Sequence, residues 1–356
     1  IGTLTLNADG SYEFIPYPNY SGPVPTITYN AGNSTFSDDA TLNITVDPVS
    51  DKPTVTVDST SITTDEDTSV ALGLKLPLST DTVDQNGPGV DGDNPELLGP
   101  IYLSGIPIGA QLLDGTNSNA LVWTSDGSFV TIVLTDQTDY HANGVSGTLY
   151  MTTAQYEALQ VLPPADSGDN FSVTVSVTSY EVDNYGDPMP GVPGAETTVT
   201  VDVDVRAVTD DVELWIDGAK STDLTIDEDT TLNLSSLLTK QFDDTDGSEQ
   251  RSIVISGLPV GTVVNGTTIG GSGTITIPLT GGNTIPSITV KPPKDFSGDI
   301  TNITVTLTAQ DTDSDSSHTP NVESDSVTLN LYVNPVAGDV KVSGVSTDED
   351  TAVKFL

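Results

Sequence analysis

The 356-residue chain contains no cysteine, so no disulfide can staple it and no thiol can act as nucleophile or zinc ligand. It has only two histidines, His141 and His318, far apart in sequence, which argues against a His-based catalytic or zinc site. Basic residues are scarce: 10 Lys and Arg stand against 51 Asp and Glu, for a net charge of −41. Such a chain repels nucleic acid and anionic membrane, and neither is expected as a partner. No apolar run is long enough to span a bilayer. There is no secretory signal and the first residue is Ile1, so the sequence reads as a fragment of a longer chain. Hydrophobic residues make up 35%, a low share that combined with high charge is also a mark of disorder. Their placement argues otherwise, because they alternate in blocks.

What is present is repetition. Asp-Glu-Asp-Thr occurs at Asp65–Thr68, Asp227–Thr230 and Asp348–Thr351. Further landmarks follow in the same order. Asp91-Gly-Asp-Asn-Pro-Glu96 matches Asp244-Thr-Asp-Gly-Ser-Glu249, and Ile101-Tyr-Leu-Ser-Gly-Ile-Pro-Ile-Gly109 matches Ile253-Val-Ile-Ser-Gly-Leu-Pro-Val-Gly261. Pro163-Pro-Ala-Asp-Ser-Gly-Asp169 matches Pro292-Pro-Lys-Asp-Phe-Ser-Gly-Asp299. Shared landmarks in register mark internal repeats. Linkers at Asp47-Pro-Val-Ser-Asp51, Arg206-Ala-Val-Thr-Asp210 and Asn334-Pro-Val-Ala-Gly-Asp339 set the expected boundaries. Residues 1–50 are read as the later part of one module, 51–209 and 210–338 as two whole modules, and 339–356 as the first strand of another.

The modules are expected to be all-β. Val199, Val201, Val203 and Val205 alternate with Thr and Asp, and Val327, Leu329, Leu331 and Val333 with Thr, Asn and Tyr. Val173, Val175 and Val177 do the same. Period two with β-branched residues means strands with one buried face. Gly, Pro, Asn and Asp clusters between them fit tandem β-sandwiches in an elongated array. Thr152 and Gln155 form a capping-box pattern that predicts one short helix. The larger module carries extra sequence at 82–90 and about 117–150. The second stretch holds Trp123, Tyr140 and His141, candidates for contacting a glycan or peptide, against the plainer reading that they pack within the insert.

The chemistry on offer is carboxylate chemistry. Each module has an entry cluster (Asp65, Glu66, Asp67; Asp227, Glu228, Asp229) and an Asp-x-Asp-x-x-Glu loop (Asp91, Asp93, Glu96; Asp244, Asp246, Glu249). A third cluster lies between the last two strands (Glu181, Asp183; Asp311, Asp313), and Asp47, Asp51, Asp210, Asp211 and Asp339 lie in linkers. Calcium (Ca2+) takes about 6–8 oxygen ligands, so these residues are its candidate ligands. If the entry motif is a strand, Asp65 and Asp67 share a face; if it is a turn, Glu66 can bridge instead. The competing reading is that the acids are solvated turn residues, since Asp bonds its own backbone. Several carboxylates within about 5 Å repel by about 1 kcal/mol per pair even at high dielectric, which a cation relieves. No nucleophile elbow, phosphate loop or paired histidine is present, and acids among many anions make poor general acids, so no enzyme is expected.

The fragment Gly2-Thr-Leu-Thr-Leu-Asn-Ala-Asp-Gly-Ser-Tyr12, with Phe14, Pro16, Asn19-Tyr20 and Ser21-Gly-Pro23, resembles bacterial cadherin-like repeats. The two full modules are similar to the Ig-like extender repeats of giant RTX adhesins exported by type I secretion. The resemblance implies calcium-bound extracellular modules on a Gram-negative surface that project a binding tip for adhesion or biofilm formation. Neighbouring modules of the same chain would be the partners, with a host or biofilm glycan or peptide as a further one. Outward acids such as Asp202 and Asp204 oppose edge-to-edge pairing, so a monomeric rod is expected.

Overall fold

The computed structural model describes residues 1–32, 35–84, 94–137, 148–243, 248–279, 284–312, 318–338, 344 and 346–352. It is 49% strand and 3% helix, an all-β protein. No helix among the described residues is long and apolar enough to cross a membrane. The chain divides into two units, Ile1–Val208 with Asp313–Thr319, and Thr209–Thr312 with Pro320–Leu356.

In the first unit the larger sheet runs in the order Thr148–Met151, Val130–Leu134, Ile101–Ser104, Phe171–Tyr180, Ala195–Arg206, Ser61–Asp65, and Leu97–Leu98 also pairs with Phe171–Tyr180. Two of its contacts are parallel: Thr148–Met151 on Val130–Leu134, and Ser61–Asp65 on Ala195–Arg206. The facing sheet orders Ala120–Thr124, Gln111–Asp114, Leu159–Leu162 and Val70–Ala71. Val173, Val175, Val177, Val203 and Val205 from the first sheet share one core with Leu112, Leu159 and Val161 from the second, which makes the unit a sandwich. The alternation read from the sequence is the cause. Each buried valine is followed by a Thr, Ser, Asp or Arg that is more exposed, so each strand leaves one face wet.

The helix lies at Thr153–Glu157, capped as its sequence predicts. The Gln155 N–H donates to Thr152 Oγ1 at 3.3 Å, and the Thr152 N–H donates to Gln155 Oε1 at 3.0 Å. Tyr156 anchors the helix in the core. Part of the expected insert proves integral to the fold. Val130–Leu134 is buried along its whole length and pairs with Ile101–Ser104, as Ile275–Pro278 pairs with Gln250–Ser256 in the second unit. A strand buried on both faces has no alternation to reveal it.

The second unit repeats the scheme. Its larger sheet orders Ser221–Asp227, Val322–Asn334, Gly298–Gln310, Gln250–Ser256 and Ile275–Pro278. The facing sheet orders Leu232–Asn233, Thr289–Lys291, Val263–Val264 and Thr267–Thr268, and Val212–Ile216 pairs separately with Leu238–Phe242. Ile253, Ile255, Val305, Leu307, Val327 and Leu329 form its core with Leu234, Val264 and Val290.

Residues 1–50 differ. They form three separate two-stranded ladders: Gly2–Leu6 with Tyr12–Pro16, Gly22–Pro23 with Thr45–Val46, and Ile27–Gly32 with Ser37–Leu42. Tyr20 is the only core apolar side chain described in this segment.

Candidate metal centre

The entry motif is a turn in every copy. Asp65 and Asp227 end strands, and Asp67, Asp229 and Asp350 take positive φ of 53°, 58° and 61°. The N–H of Thr68, Thr230 and Thr351 closes each turn on the carbonyl of Asp65, Asp227 and Asp348, in each case at 3.2 Å. Asp tolerates the left-handed region better than most residues, which explains its place as third residue of the motif. The turn breaks the strand geometry that would align Asp65 with Asp67, so the middle glutamate becomes the inward residue. Glu66 is buried, and its Oε1 accepts the Val208 N–H at 2.5 Å. Glu228 does the same for Val336 N–H at 2.7 Å.

Asp67 and Asp229 face a second recurring turn. Asp67 Oδ1 accepts the Asp166 N–H at 3.2 Å, and Asp229 Oδ1 accepts the Asp295 N–H at 3.4 Å. Asp166 and Asp295 both sit at φ 56°, and Asn19 at φ 64° occupies the matching place in residues 1–50. These residues follow the Pro-rich segments whose repetition is visible in sequence, but their positive φ is not.

In the first unit the fold gathers acids in one cleft of about 390 Å³, lined by Pro16–Ser21 on one side and by Asp47, Val49, Asp51, Asp81 and Glu181 on the other. Asn19 Nδ2 donates to the Thr80 carbonyl at 3.4 Å across it, and the Glu181 N–H donates to Ser50 Oγ at 3.1 Å. Three of the sequence-predicted residues, Asp47, Asp51 and Glu181, therefore line the same cleft. Asp81 lines the cleft beside them, although it lies outside every repeated landmark, and it is buried.

Glu96 lies behind this cleft, buried against Asp81 and Asp51. Its Oε2 accepts Ser179 Oγ at 2.7 Å, its Oε1 accepts the Asp51 N–H, and its own N–H donates to the Asp81 carbonyl at 3.2 Å. Burial raises the Glu96 pKa above the ordinary glutamate range; the two hydrogen bonds oppose this, and the Asp51 and Asp81 carboxylates add to it. A carboxyl whose folded pKa is raised stabilises the fold at low pH and loses that contribution as pH rises through the raised value. Without a divalent cation, Glu96→Gln is therefore expected to raise the melting temperature at neutral pH and to remove the part of the pH dependence owed to Glu96. In calcium it is expected to shrink the ion-induced rise. Thermal melts of both proteins across pH, in chelator and in calcium, check this; a lower melting temperature for the variant in chelator would count against it.

The other sequence-predicted residues are placed separately. Asp183 closes its own turn, accepting the N–H groups of Tyr185 at 2.8 Å and Asp187 at 3.1 Å. Asp210 is half-buried and Asp211 exposed at the start of the second unit. Asp227 accepts Asn334 Nδ2 at 3.3 Å. Glu249 forms a buried 2.5 Å ion pair with Arg251, whose guanidinium stacks 4.3 Å from the Phe242 ring centre. Arg251 has no counterpart in the first unit, where the landmark match of Ile253 with Ile101 puts Gly99 at its position. Asp311 is buried, its N–H donating to Thr209 Oγ1 at 2.9 Å, as the Glu181 N–H donates to Ser50. Trp123 lies on Ala120–Thr124 and packs against the first core. Asp91, Asp93, Tyr140, His141, Asp244, Asp246, Asp313 and Asp339 lie outside the described residues.

The cleft's donors are hard oxygens from carboxylates, with an amide and backbone carbonyls beside them. That set suits calcium and offers nothing to a thiolate- or imidazole-seeking metal.

No family model matches the chain. No curated protein sequence matches it. Among solved structures, the chain is similar to the protocadherin GammaB4 extracellular domain, with 11% identity over 94% of this chain and 42% of that one, at a TM-score of 0.33. It is also similar to protocadherin Gamma B2 extracellular cadherin domains 3–6, with 11% identity over 94% of this chain and 66% of that one, at 0.34. For Drosophila N-cadherin EC1–4 the figures are 12% identity, 87%, 57% and 0.28. The chain thus spans less than two thirds of the length of each of these proteins.

Proposed function

We propose that this chain is a calcium-rigidified extender of a bacterial cell-surface adhesin, without enzymatic activity of its own. In this role it stands outside a Gram-negative cell and projects a binding tip for adhesion or biofilm formation. The observation that carries the reading is the cleft of the first unit, lined by Asp47 and Asp51 from a linker and by Asp81 and Glu181 from the following sandwich. A cation held there ties the linker to the sandwich and removes the repulsion among its carboxylates. The repeated modules and the net charge of −41 support the same role, since charge keeps a long extracellular chain soluble. The proposed division is the later part of one module at 1–50, two whole modules at 51–209 and 210–338, and the first strand of another at 339–356.

Calorimetric titration of the 356-residue chain with calcium tests the reading. Saturable binding is expected, weakened in a variant carrying Asp51→Asn and Glu181→Gln. At calcium a hundredfold above the dissociation constant, each site is expected to add about 2.7 kcal/mol of stability, read as a rise in melting temperature. Absence of binding heat up to millimolar calcium, with an unchanged melt, would overturn the proposal.

A further inference from the structure

Each sandwich has an acidic corner at the same place, and the two corners are neutralised differently. Leu97 pairs with Tyr180, and Gln250 with Gln310, as the last pairs of matching ladders. One residue beyond them stand Glu96 and Glu181 in the first unit, Glu249 and Asp311 in the second. Glu96, Glu181 and Asp311 are buried, and the Glu249 side chain is only 2% exposed.

In the first unit no base takes part. The residues between Glu96 and Ile101 are Leu97, Leu98, Gly99 and Pro100. The Glu96 carboxylate accepts the Ser179 hydroxyl and the Asp51 N–H, two neutral donors, and no Lys or Arg pairs with it among the described residues. The Asp51 and Asp81 carboxylates act on it from nearby.

In the second unit the residues between Glu249 and Ile253 are Gln250, Arg251 and Ser252. Arg251 Nη2 donates to Glu249 Oε2 at 2.5 Å, and only 5% of the Arg251 side chain is exposed. Arg251 Cζ lies 4.3 Å and Lys240 Nζ 4.1 Å from the centre of the Phe242 ring. Two of the chain's 10 bases thus meet at one aromatic ring. The neutral donor is exchanged as well. Ala309 stands two residues before Asp311, as Ser179 stands two before Glu181, and a methyl group cannot donate. A hydroxyl is lost and a buried cation gained in the same corner, so one partner has replaced the other. Glu249 and Arg251 line a cleft of about 520 Å³ with Gln250, Ser252, Gln310 and Val322, so the corner borders solvent.

We propose that Arg251 is a built-in counter-cation: it does for Glu249 what a divalent ion does for the carboxylates around Glu96, and Lys240 beside it keeps such an ion away. The comparison with the first unit rests on the calcium reading above. Buried carboxylates without a positive partner are costly, so each corner needs positive charge. The first corner takes it from solution and responds to the ion supply. The second carries it covalently, on a guanidinium that stays charged at any physiological pH. Calcium depletion therefore weakens the first corner and leaves the second intact.

The test uses the 356-residue chain with Trp123→Phe, which leaves Trp215 as the single tryptophan and a fluorescence reporter of the second unit. In this background Arg251→Gln is expected to lower the melting temperature of that unit by about 10 °C or more in chelator. Millimolar calcium is expected to restore about half of the loss, beyond any shift it gives the same unit with Arg251 in place. If Arg251→Gln is unfolded in chelator, recovery of the Trp215 signal on adding calcium is the same rescue. Arg251→Lys keeps the charge and is expected to show no added response to calcium. Glu249→Gln combined with Arg251→Gln is expected to abolish the rescue. No rescue of Arg251→Gln, or an equal one in Arg251→Lys or in the double variant, would overturn the proposal. A flat calcium response of Trp123 in the Trp215→Phe chain would count against the calcium reading of the first unit alone, because the rescue decides the role of Arg251 independently.

Discussion

Gly105→Ala is expected to destabilise the first unit by about 3–5 kcal/mol, among the largest effects a single added methyl can have. Gly105 ends the Ile101–Ser104 strand at φ +82°, a conformation costly to any residue with a Cβ. A Cβ there would also stand 2.1 Å from the Ser172 carbonyl oxygen, a backbone atom that cannot swing aside. Ser104 pairs with Thr174 just before this point, so relief of the clash must open the strand pair that crosses the centre of the sheet. Gly257 is the matching residue of the second unit, at φ +80° with its nearest obstruction, the Asn302 carbonyl oxygen, at 2.8 Å. Its alanine variant is expected to cost about 2–3 kcal/mol. Gly109 has a positive φ of 89° but only Pro164 Cβ at 3.7 Å, so Gly109→Ala should cost about 1–2 kcal/mol, the conformational part alone. Urea unfolding of the three variants, followed unit by unit, gives the order. Equal losses at Gly105 and Gly109 would show that close strand approach contributes nothing.

Glu66→Ala is expected to cost about 2 kcal/mol, because it removes a charge-assisted hydrogen bond that holds the Val208 N–H beyond the last strand of the sandwich. Glu66→Gln keeps an acceptor oxygen and should recover part of the loss. Glu228→Ala is expected to cost less, near about 1 kcal/mol, since Glu228 is only half-buried and water can replace it. Chemical denaturation in chelator separates this structural role from any role in binding a cation. If Glu66→Ala is neutral in chelator and damaging only in calcium, its recurrence in the entry motif is owed to the ion and not to the hydrogen bond.

The motif Ser-Gly-Leu/Ile-Pro-x-Gly stood out in the sequence as a repeat, and its glycines prove to be backbone requirements of two different kinds. The acids divide in a similar way. Asp67 and Asp229 were legible as members of a cluster, but their left-handed turn and their bonds to Asp166 and Asp295 depend on segments about a hundred and about sixty-six residues away. Glu249 matches Glu96 in sequence, yet one is neutralised by Arg251 and the other is held by Ser179 and the Asp51 N–H. A pattern of residue types cannot distinguish these fates, because the deciding partner comes from another strand.

The sequence by itself determined the all-β class, the repeated modules, the inward faces of the valine-rich strands and the capped helix at Thr153–Glu157. Each of these depends on local periodicity or on neighbours a few residues apart. Only the tertiary structure decided that Val130–Leu134 is core, that Glu66 and not Asp65 turns inward, and that Asp81 lines one cleft with Asp47, Asp51 and Glu181. Those outcomes follow from strand pairing across long sequence separations, where register and twist select which side chains and which open backbone groups meet.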